Sequence, residues 1–151
     1  MIIKRITFVC TGNTCRSPMA EIVLKNKLKL AGIKGVHVFS AGTTAIDGEK
    51  MSKNSAQALK KLGYKPYGFK SKKLTASMLL KSDLTVCMTA SHKIGISNFP
   101  GVYCASQITG QMDISDPYGG DLSVYLSTLY QIEDLCNRII TIILQNKESK
   151  Q

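Results

Sequence analysis

With 151 residues, 44% of them hydrophobic and 20% charged, the chain is predicted to form one globular domain over residues 1–151. Its apolar runs are too short for an export signal or a membrane span, so a cytoplasmic location is expected. The net charge of +10 comes from dispersed lysines without a basic-aromatic motif, so no nucleic-acid partner is expected. Five cysteines disfavour a disulfide framework, and neither histidine stands at a zinc-like spacing from a cysteine, so no metal is expected.

Strand and helix patterns alternate along the chain. In order, the patterns predict a strand at 4–10, a helix at 17–31 that Gly32 ends, a strand at 36–40, a helix at about 52–62, a short helix opened by Thr75, a strand at 84–88, a helix from Thr89 to about Ile96, a strand at 102–104, and a long helix from Leu122 to about Ile143. This alternation predicts a parallel sheet with helices on both faces. Ligands of such sheets bind beyond the carboxyl ends of the strands.

The segment that joins the first strand to the first helix carries the candidate chemistry. Its sequence is Cys10-Thr-Gly-Asn-Thr-Cys-Arg16-Ser17. Backbone amides of a tight loop and a helix N-terminus bind phosphate, and an arginine can clamp two phosphate oxygens. The same field favours the thiolate of a cysteine, which makes Cys10 the candidate nucleophile.

Local residue types support a loop of this kind. Gly12 and Asn13 are expected to adopt left-handed backbone conformations, Ser17 is expected to be the helix N-cap, and Pro18 the first helical residue. The spacing alone is a weak motif, and an ordinary strand-to-helix turn with a buried cysteine is the alternative.

The loop, together with Asp116-Pro117-Tyr118, closely resembles the low-molecular-weight cysteine phosphatases, the low molecular weight protein tyrosine phosphatase family. The similarity extends over nearly the whole chain and includes Ser40-Ala41-Gly42 and residues 74–92. It implies a small doubly wound, Rossmann-like sheet of four parallel strands. It also implies hydrolysis of phosphorylated proteins through a phosphocysteine intermediate without a cofactor, by a monomer or weak dimer.

The resemblance also implies roles for individual residues. Cys10 attacks phosphorus, Arg16 binds the phosphate, and Asp116, with Tyr118 beside it, serves first as general acid and then as base. The phosphate-binding loop comprises Thr11, Gly12, Asn13, Thr14, Cys15 and Ser17. Ser17 also contacts the sulfur, Asn13 holds the loop through Ser17 and Ser40, and Cys15 forms a reversible disulfide that protects Cys10.

Two features bear on what distinguishes this chain within the family. Thr14 and the Tyr118-Gly119 pair resemble the branch that acts on protein phosphoarginine, whereas phosphotyrosine-specific relatives usually carry a bulky aliphatic residue and two adjacent aromatics at these positions. The alternatives are that the substrate is phosphotyrosine, and that Thr14 is a variation without effect on substrate choice.

Phe69 stands where many relatives have a histidine, which predicts a smaller polar network under the loop.

Three further functions compete with a phosphatase. An arsenate reductase of related fold needs two additional cysteines close together, and Cys87 and Cys104 are far apart in the sequence. A phosphate-binding module without catalysis would need neither Cys10 nor Asp116. A nucleic-acid binder would show salt-dependent binding to nucleic acid.

Overall fold

The computed structural model describes residues 2–148, and a four-stranded parallel sheet lies at its centre. The strands are β1 (Arg5–Cys10), β2 (His37–Gly42), β3 (Leu84–Cys87) and β4 (Val102–Cys104), in the spatial order β2-β1-β3-β4. This is the doubly wound arrangement predicted from the sequence. Residues 1 and 149–151 of the predicted domain lie outside the described residues.

Six α-helices accompany the sheet in the described part of the chain. They are α1 (Arg16–Leu30), α2 (Lys53–Lys61), α3 (Ala76–Lys81), α4 (Ala90–Lys93), α5 (Ala105–Thr109) and α6 (Leu122–Glu148). The helix predicted from Thr89 to Ile96 is shorter than expected, since α4 gives way to a 3₁₀ turn at Ile94–Ile96. Helix α5 was not predicted because five residues are too few to show a helical period.

The sheet is covered on both faces because its strands alternate their side chains. On one face Ile6 and Phe8 pack with α1 and α6, and the predicted apolar stripe of α6 is buried there, including Leu129, Ile132, Cys136, Ile139 and Ile143. On the other face Val9 and Cys87 pack with Val102 and with partly buried Phe99. Residues adjacent on one strand therefore serve opposite sides of the sheet.

The carboxyl ends of β1, β2 and β3 meet at one edge of the sheet. In the register Cys10 pairs with Gly42, and Val9 pairs with Cys87. Beyond the strand ends, Thr43 N–H donates to the Cys10 carbonyl at 2.9 Å. A Cβ at Gly42 would overlap the Thr11 carbonyl oxygen and lie 2.8 Å from the Asn13 nitrogen. The segment after β1 is thus packed directly against the end of β2.

Candidate active site

The segment Thr11–Cys15, hereafter the anion loop, connects β1 to α1. Helix α1 begins at Arg16, its N-cap position is Cys15, and no side chain caps it. The first turn of α1 contains no acidic residue, so no carboxylate of that turn competes for the free N–H groups at this helix start. Those N–H groups, with the positive end of the helix dipole, suit an anion such as phosphate.

The prediction that Ser17 is the N-cap of α1 is wrong, because Ser17 lies inside the helix. Its hydroxyl instead contacts the Cys10 sulfur at 2.8 Å, and both side chains are buried. This is the contact with the sulfur that the family resemblance implied. A serine hydroxyl can either cap the amides of a helix or bind a thiol, and here it contacts the buried Cys10 thiol.

Asn13 holds the anion loop in a left-handed conformation, with φ of 55°. Its side chain is completely buried and donates through Nδ2 to Ser17 Oγ at 2.8 Å and to Ser40 Oγ at 3.0 Å. The Lys72 N–H donates to Asn13 Oδ1 at 2.9 Å. Gly12 does not have a positive φ, so the predicted left-handed conformation is wrong for that residue. One strained residue, rather than two, shapes the loop.

The direction of these hydrogen bonds follows from the Lys72 amide. Because that N–H can only donate, the Asn13 oxygen must face it, and the Asn13 NH₂ group must donate to both serines. The Ser40 hydroxyl donates a hydrogen bond to Glu21 Oε1 at 2.7 Å. Ser17 therefore accepts from Asn13, which leaves its own proton available for donation to the Cys10 sulfur.

Glu21 was missed by sequence reasoning. It is the only acidic residue of α1, which is the signal that could have identified it. Phe69, the residue in place of the family histidine, is half-buried and lines a groove of about 410 Å³ together with Glu21. In this chain a backbone amide, that of Lys72, contacts Asn13 in the network beneath the loop.

Arg16 links the anion loop to the segment from Asp113 to Gly120, hereafter the acid loop. Its guanidinium is buried, donates from Nη1 to the Ile114 carbonyl at 3.1 Å, and lies with Nη2 3.7 Å from Asp116 Oδ2. The Asp116 side chain is 58% exposed, and its Oδ1 accepts from the Tyr118 N–H at 3.1 Å. Tyr118 is 83% exposed. The carboxylate thus faces the loop from the solvent side.

A cavity of about 310 Å³ lies between the two loops. It is lined by Cys10, Thr11, Gly12, Thr14, Cys15, Arg16, Asp116 and Tyr118. Eight of the predicted site residues therefore meet in one place. Asn13, Ser17 and Ser40 do not line the cavity, because their buried side chains lie behind the loop and hold it.

Cys15 is half-buried, and its sulfur lies 3.5 Å from both Ser52 Oγ and the Tyr125 hydroxyl. Burial, and then the hydrogen bond with Cys15, raise the pKa of Tyr125 to about 12, so this hydroxyl keeps its proton at neutral pH. Sequence reasoning gave no role to Ser52 or Tyr125. All five cysteines are free.

Cys87 and Cys104 are neighbours across the β3–β4 pair, although they are far apart in the sequence. The prediction that their separation in the sequence keeps these two cysteines apart is therefore wrong. Both residues are buried in strands, and burial, followed by the nearby Cys104, raises the pKa of Cys87 to about 12. A thiol held in a strand and kept protonated is unsuited to thiol–disulfide exchange, so the structure still disfavours arsenate reduction.

His92 is a second residue that sequence reasoning missed. Its Nδ1 accepts from the Thr89 N–H at 3.2 Å, and burial, followed by the Arg16 charge, lowers its pKa. The neutral ring therefore carries its proton on Nε2, which donates to Thr11 Oγ1 at 2.8 Å. Helix α4 thereby contacts the anion loop across 81 residues of sequence.

Two negative findings concern the described residues as a whole. No group of three or more His, Cys, Asp or Glu side chains among them is arranged to hold a metal ion. Within residues 2–148, the helices also lack the length and apolar character that a membrane span requires.

Comparison with known proteins agrees with this geometry. A protein-arginine-phosphatase of Geobacillus stearothermophilus is 35% identical over 142 residues, 89% of this chain and 93% of the relative. The low molecular weight protein-tyrosine-phosphatase PtpB of Staphylococcus haemolyticus is 37% identical over 91% of this chain and 98% of its own. A solved YwlE arginine phosphatase mutant with a phosphorylated active-site serine is 30% identical, with a TM-score of 0.88 over 95% and 98% of the two chains.

The family model for low molecular weight phosphotyrosine protein phosphatases matches residues 5–150, which is nearly the whole chain. The match includes both loops that line the cavity. The chain therefore belongs to the low molecular weight phosphotyrosine protein phosphatase family.

Proposed function

We propose that this protein, as a single phosphatase domain, removes phosphate from phosphoarginine in proteins. The observation that carries the proposal is the cavity in which Cys10, Arg16 and Asp116 converge, with the hydroxyl-bearing Thr14 on its wall. Relatives with similar identity are named for phosphoarginine in one case and phosphotyrosine in another, so overall identity does not decide between the substrates. The choice between phosphoarginine and phosphotyrosine is therefore argued from the residues that line the cavity.

In the first step the Cys10 thiolate attacks phosphorus. The S–P bond forms as the bond from phosphorus to the substrate nitrogen or oxygen breaks, and Asp116 in its protonated form gives that atom a proton. The loop amides and the Arg16 guanidinium bind the phosphate oxygens, while the Ser17 hydroxyl stabilises the thiolate beforehand. The products are the free side chain and phosphocysteine.

In the second step water attacks phosphocysteine. Asp116, now ionised, takes a proton from that water, the S–P bond breaks, and inorganic phosphate leaves. Ser17 donates a hydrogen bond to the departing Cys10 sulfur. The phosphorylated active-site serine in the YwlE mutant supports a covalent intermediate at the corresponding position of that protein.

The composition of the cavity wall supports phosphoarginine. Tyr118 is the one aromatic residue lining the cavity, and its ring is largely exposed. Thr14 lines the cavity, and its hydroxyl lies 3.6 Å from the position that a Cβ of Gly12 would occupy. The cavity also contains the exposed carboxylate of Asp116, a group that pairs well with a guanidinium. A polar wall suits the guanidinium better than an aryl ring.

The test compares kcat/KM on phosphoarginine and phosphotyrosine peptides of matched sequence. We expect the wild type to prefer phosphoarginine, and Thr14→Ile to shift the ratio of the two kcat/KM values about tenfold toward phosphotyrosine. Cys10→Ser is the inactive reference. Thr141→Ile, which makes the same change on the exposed face of α6, should leave the ratio unchanged.

Two outcomes would contradict the proposal in different ways. Wild-type preference for phosphotyrosine would make the protein a tyrosine phosphatase and leave Thr14 without a selective role. Release of no phosphate from either peptide by the reduced protein would remove the enzymatic assignment of Cys10. The cytoplasmic location, the monomeric or weakly dimeric state and the absence of nucleic-acid binding remain predictions.

A further inference from the structure

One carboxylate, that of Asp113, ties the start of the acid loop to two helices. Its Oδ2 accepts from the Ala90 N–H at 2.9 Å, and its Oδ1 accepts from the Ser106 N–H at 2.8 Å. Ala90 is the first residue of α4, and Ser106 is the second residue of α5. Asp113 therefore fixes the base of the acid loop against the segments that follow β3 and β4.

The next residue strengthens the same attachment. Ile114 is buried, its N–H donates to the Met88 carbonyl at 3.0 Å, and its carbonyl accepts from Arg16. Partial burial opposes ionisation of Asp113, but the hydrogen bonds from Ser106 and Ala90 outweigh it and lower the pKa. The charged carboxylate is thus the form that the two amides bind.

Helix α4 carries this attachment onward to the other side of the cavity. Asp113 binds the first residue of α4, and two residues later His92 donates to Thr11 in the anion loop. A continuous set of contacts therefore runs from the acid loop through α4 to the anion loop. The two loops are placed relative to each other by groups that lie outside the reacting centre.

The tip of the acid loop has much weaker attachments than its base. Asp116 is largely exposed, bonds to the Tyr118 N–H of its own turn, and lies 3.7 Å from Arg16. Its position depends on where the base of the loop is held. We propose that Asp113 is a positioning residue for the general acid, holding the acid loop so that Asp116 reaches the leaving atom. This inference rests on the proposed phosphatase function.

The test uses two aryl phosphates that differ in their need for an acid. Dinitrophenolate leaves without a proton, whereas phenolate from phenyl phosphate requires one. We expect Asp113→Asn to lower kcat/KM on phenyl phosphate about tenfold and on dinitrophenyl phosphate less than about threefold. An asparagine at this position can accept from one of the two amides but presents N–H groups to the other.

Two further variants separate positioning from general destabilisation. Added to Asp116→Asn, the Asp113→Asn change should cause little further loss on phenyl phosphate, since the acid is already absent. Asp83→Asn is the matched control, because Asp83 also binds two backbone amides, those of Lys4 at 2.8 Å and Arg5 at 3.0 Å, at the opposite edge of the sheet. It should affect both substrates equally.

Equal loss on both aryl phosphates in Asp113→Asn, or a full additional loss on top of Asp116→Asn, would overturn the inference. If Asp113→Asn does not fold, Asp113→Glu retains the charge but moves it by one methylene group, and the same selective loss is expected. A wild type that is inactive on both aryl phosphates and also releases no phosphate from the phosphoarginine peptide would instead contradict the proposed function itself.

Discussion

The two loops that line the cavity are built in opposite ways. In the anion loop and the helix start behind it, Asn13 and Ser17 are completely buried, and their side chains are bonded to other buried groups. In the acid loop the base at Ile114 is buried, but Asp116 and Tyr118 at the tip are exposed. The anion loop is thus held in place by buried side chains, while the Asp116 carboxylate is presented from solvent. We expect mutations in the first loop to affect both folding and catalysis, and mutations at the exposed tip of the second loop to affect catalysis alone.

The largest combined effect is expected for Asn13→Ala. Alanine disfavours a φ of 55° by about 1 kcal/mol, and the change removes two buried hydrogen bonds and one partly buried one, leaving the Lys72 N–H without its partner. We expect the free energy of unfolding to fall by about 2–4 kcal/mol and kcat/KM to fall more than about tenfold. Urea unfolding and steady-state kinetics measure the two effects.

Asn137→Ala, at an exposed position on α6, is the control and should cost less than about 0.5 kcal/mol. Wild-type activity in Asn13→Ala would show that the network beneath the loop is not needed for catalysis, and the contrast between the loops would then be limited to stability.

A purely catalytic effect is expected for Asp116→Asn. Loss of the acid should lower kcat/KM on phenyl phosphate about a hundredfold. Because the side chain is 58% exposed, the free energy of unfolding should change by less than about 0.5 kcal/mol. Exposed Asp134→Asn on α6 serves as the control for the charge change. A loss of stability as large as that of Asn13→Ala would mean that the tip of the acid loop is structural, and the comparison would fail.

The smallest effect concerns the contact between α4 and the anion loop. Since burial and Arg16 hold the pKa of His92 below its ordinary value of 6.5, the unfolded chain binds a proton at this residue more readily than the folded chain does. Stability contributed by His92 is present above pH 6.5 and declines as the pH falls below that value. Thermal unfolding between pH 7 and pH 5 should show a shallower decline in Tm for His92→Gln than for the wild type. His37→Gln, which removes the exposed histidine of β2, should keep the wild-type slope.

The fold was predictable from the sequence because its signals are local. The apolar spacing from Leu122 to Ile143 and the strand patterns before Cys10 and Cys87 each report a regular period, and the structure confirms these elements. The anion loop was predictable in outline for the same reason, since a strand, a turn and a helix follow one another within a few residues. Ser17 was misassigned because its residue type fits both a helix cap and a partner for a thiol.

The remaining parts of the site depend on contacts between distant segments. Asp113 meets Ala90 across 23 residues, and His92 meets Thr11 across 81. A single carboxylate in a loop, or a histidine in a short polar helix, has no periodic signal that would identify its partner. Cys87 and Cys104 show the same limit, because strand register rather than sequence distance makes them neighbours.

Gly42, a residue without a side chain, also depends on a contact between distant segments. Its φ is not positive, so backbone conformation alone does not require glycine there; the close approach of the Thr11 carbonyl and the Asn13 nitrogen does. Even a methyl group would displace the anion loop. In a library randomised at every position and selected for activity, Gly42 should therefore be retained as strictly as Cys10, although it supplies no chemical group. A site inferred only from reactive side chains would leave it free to vary.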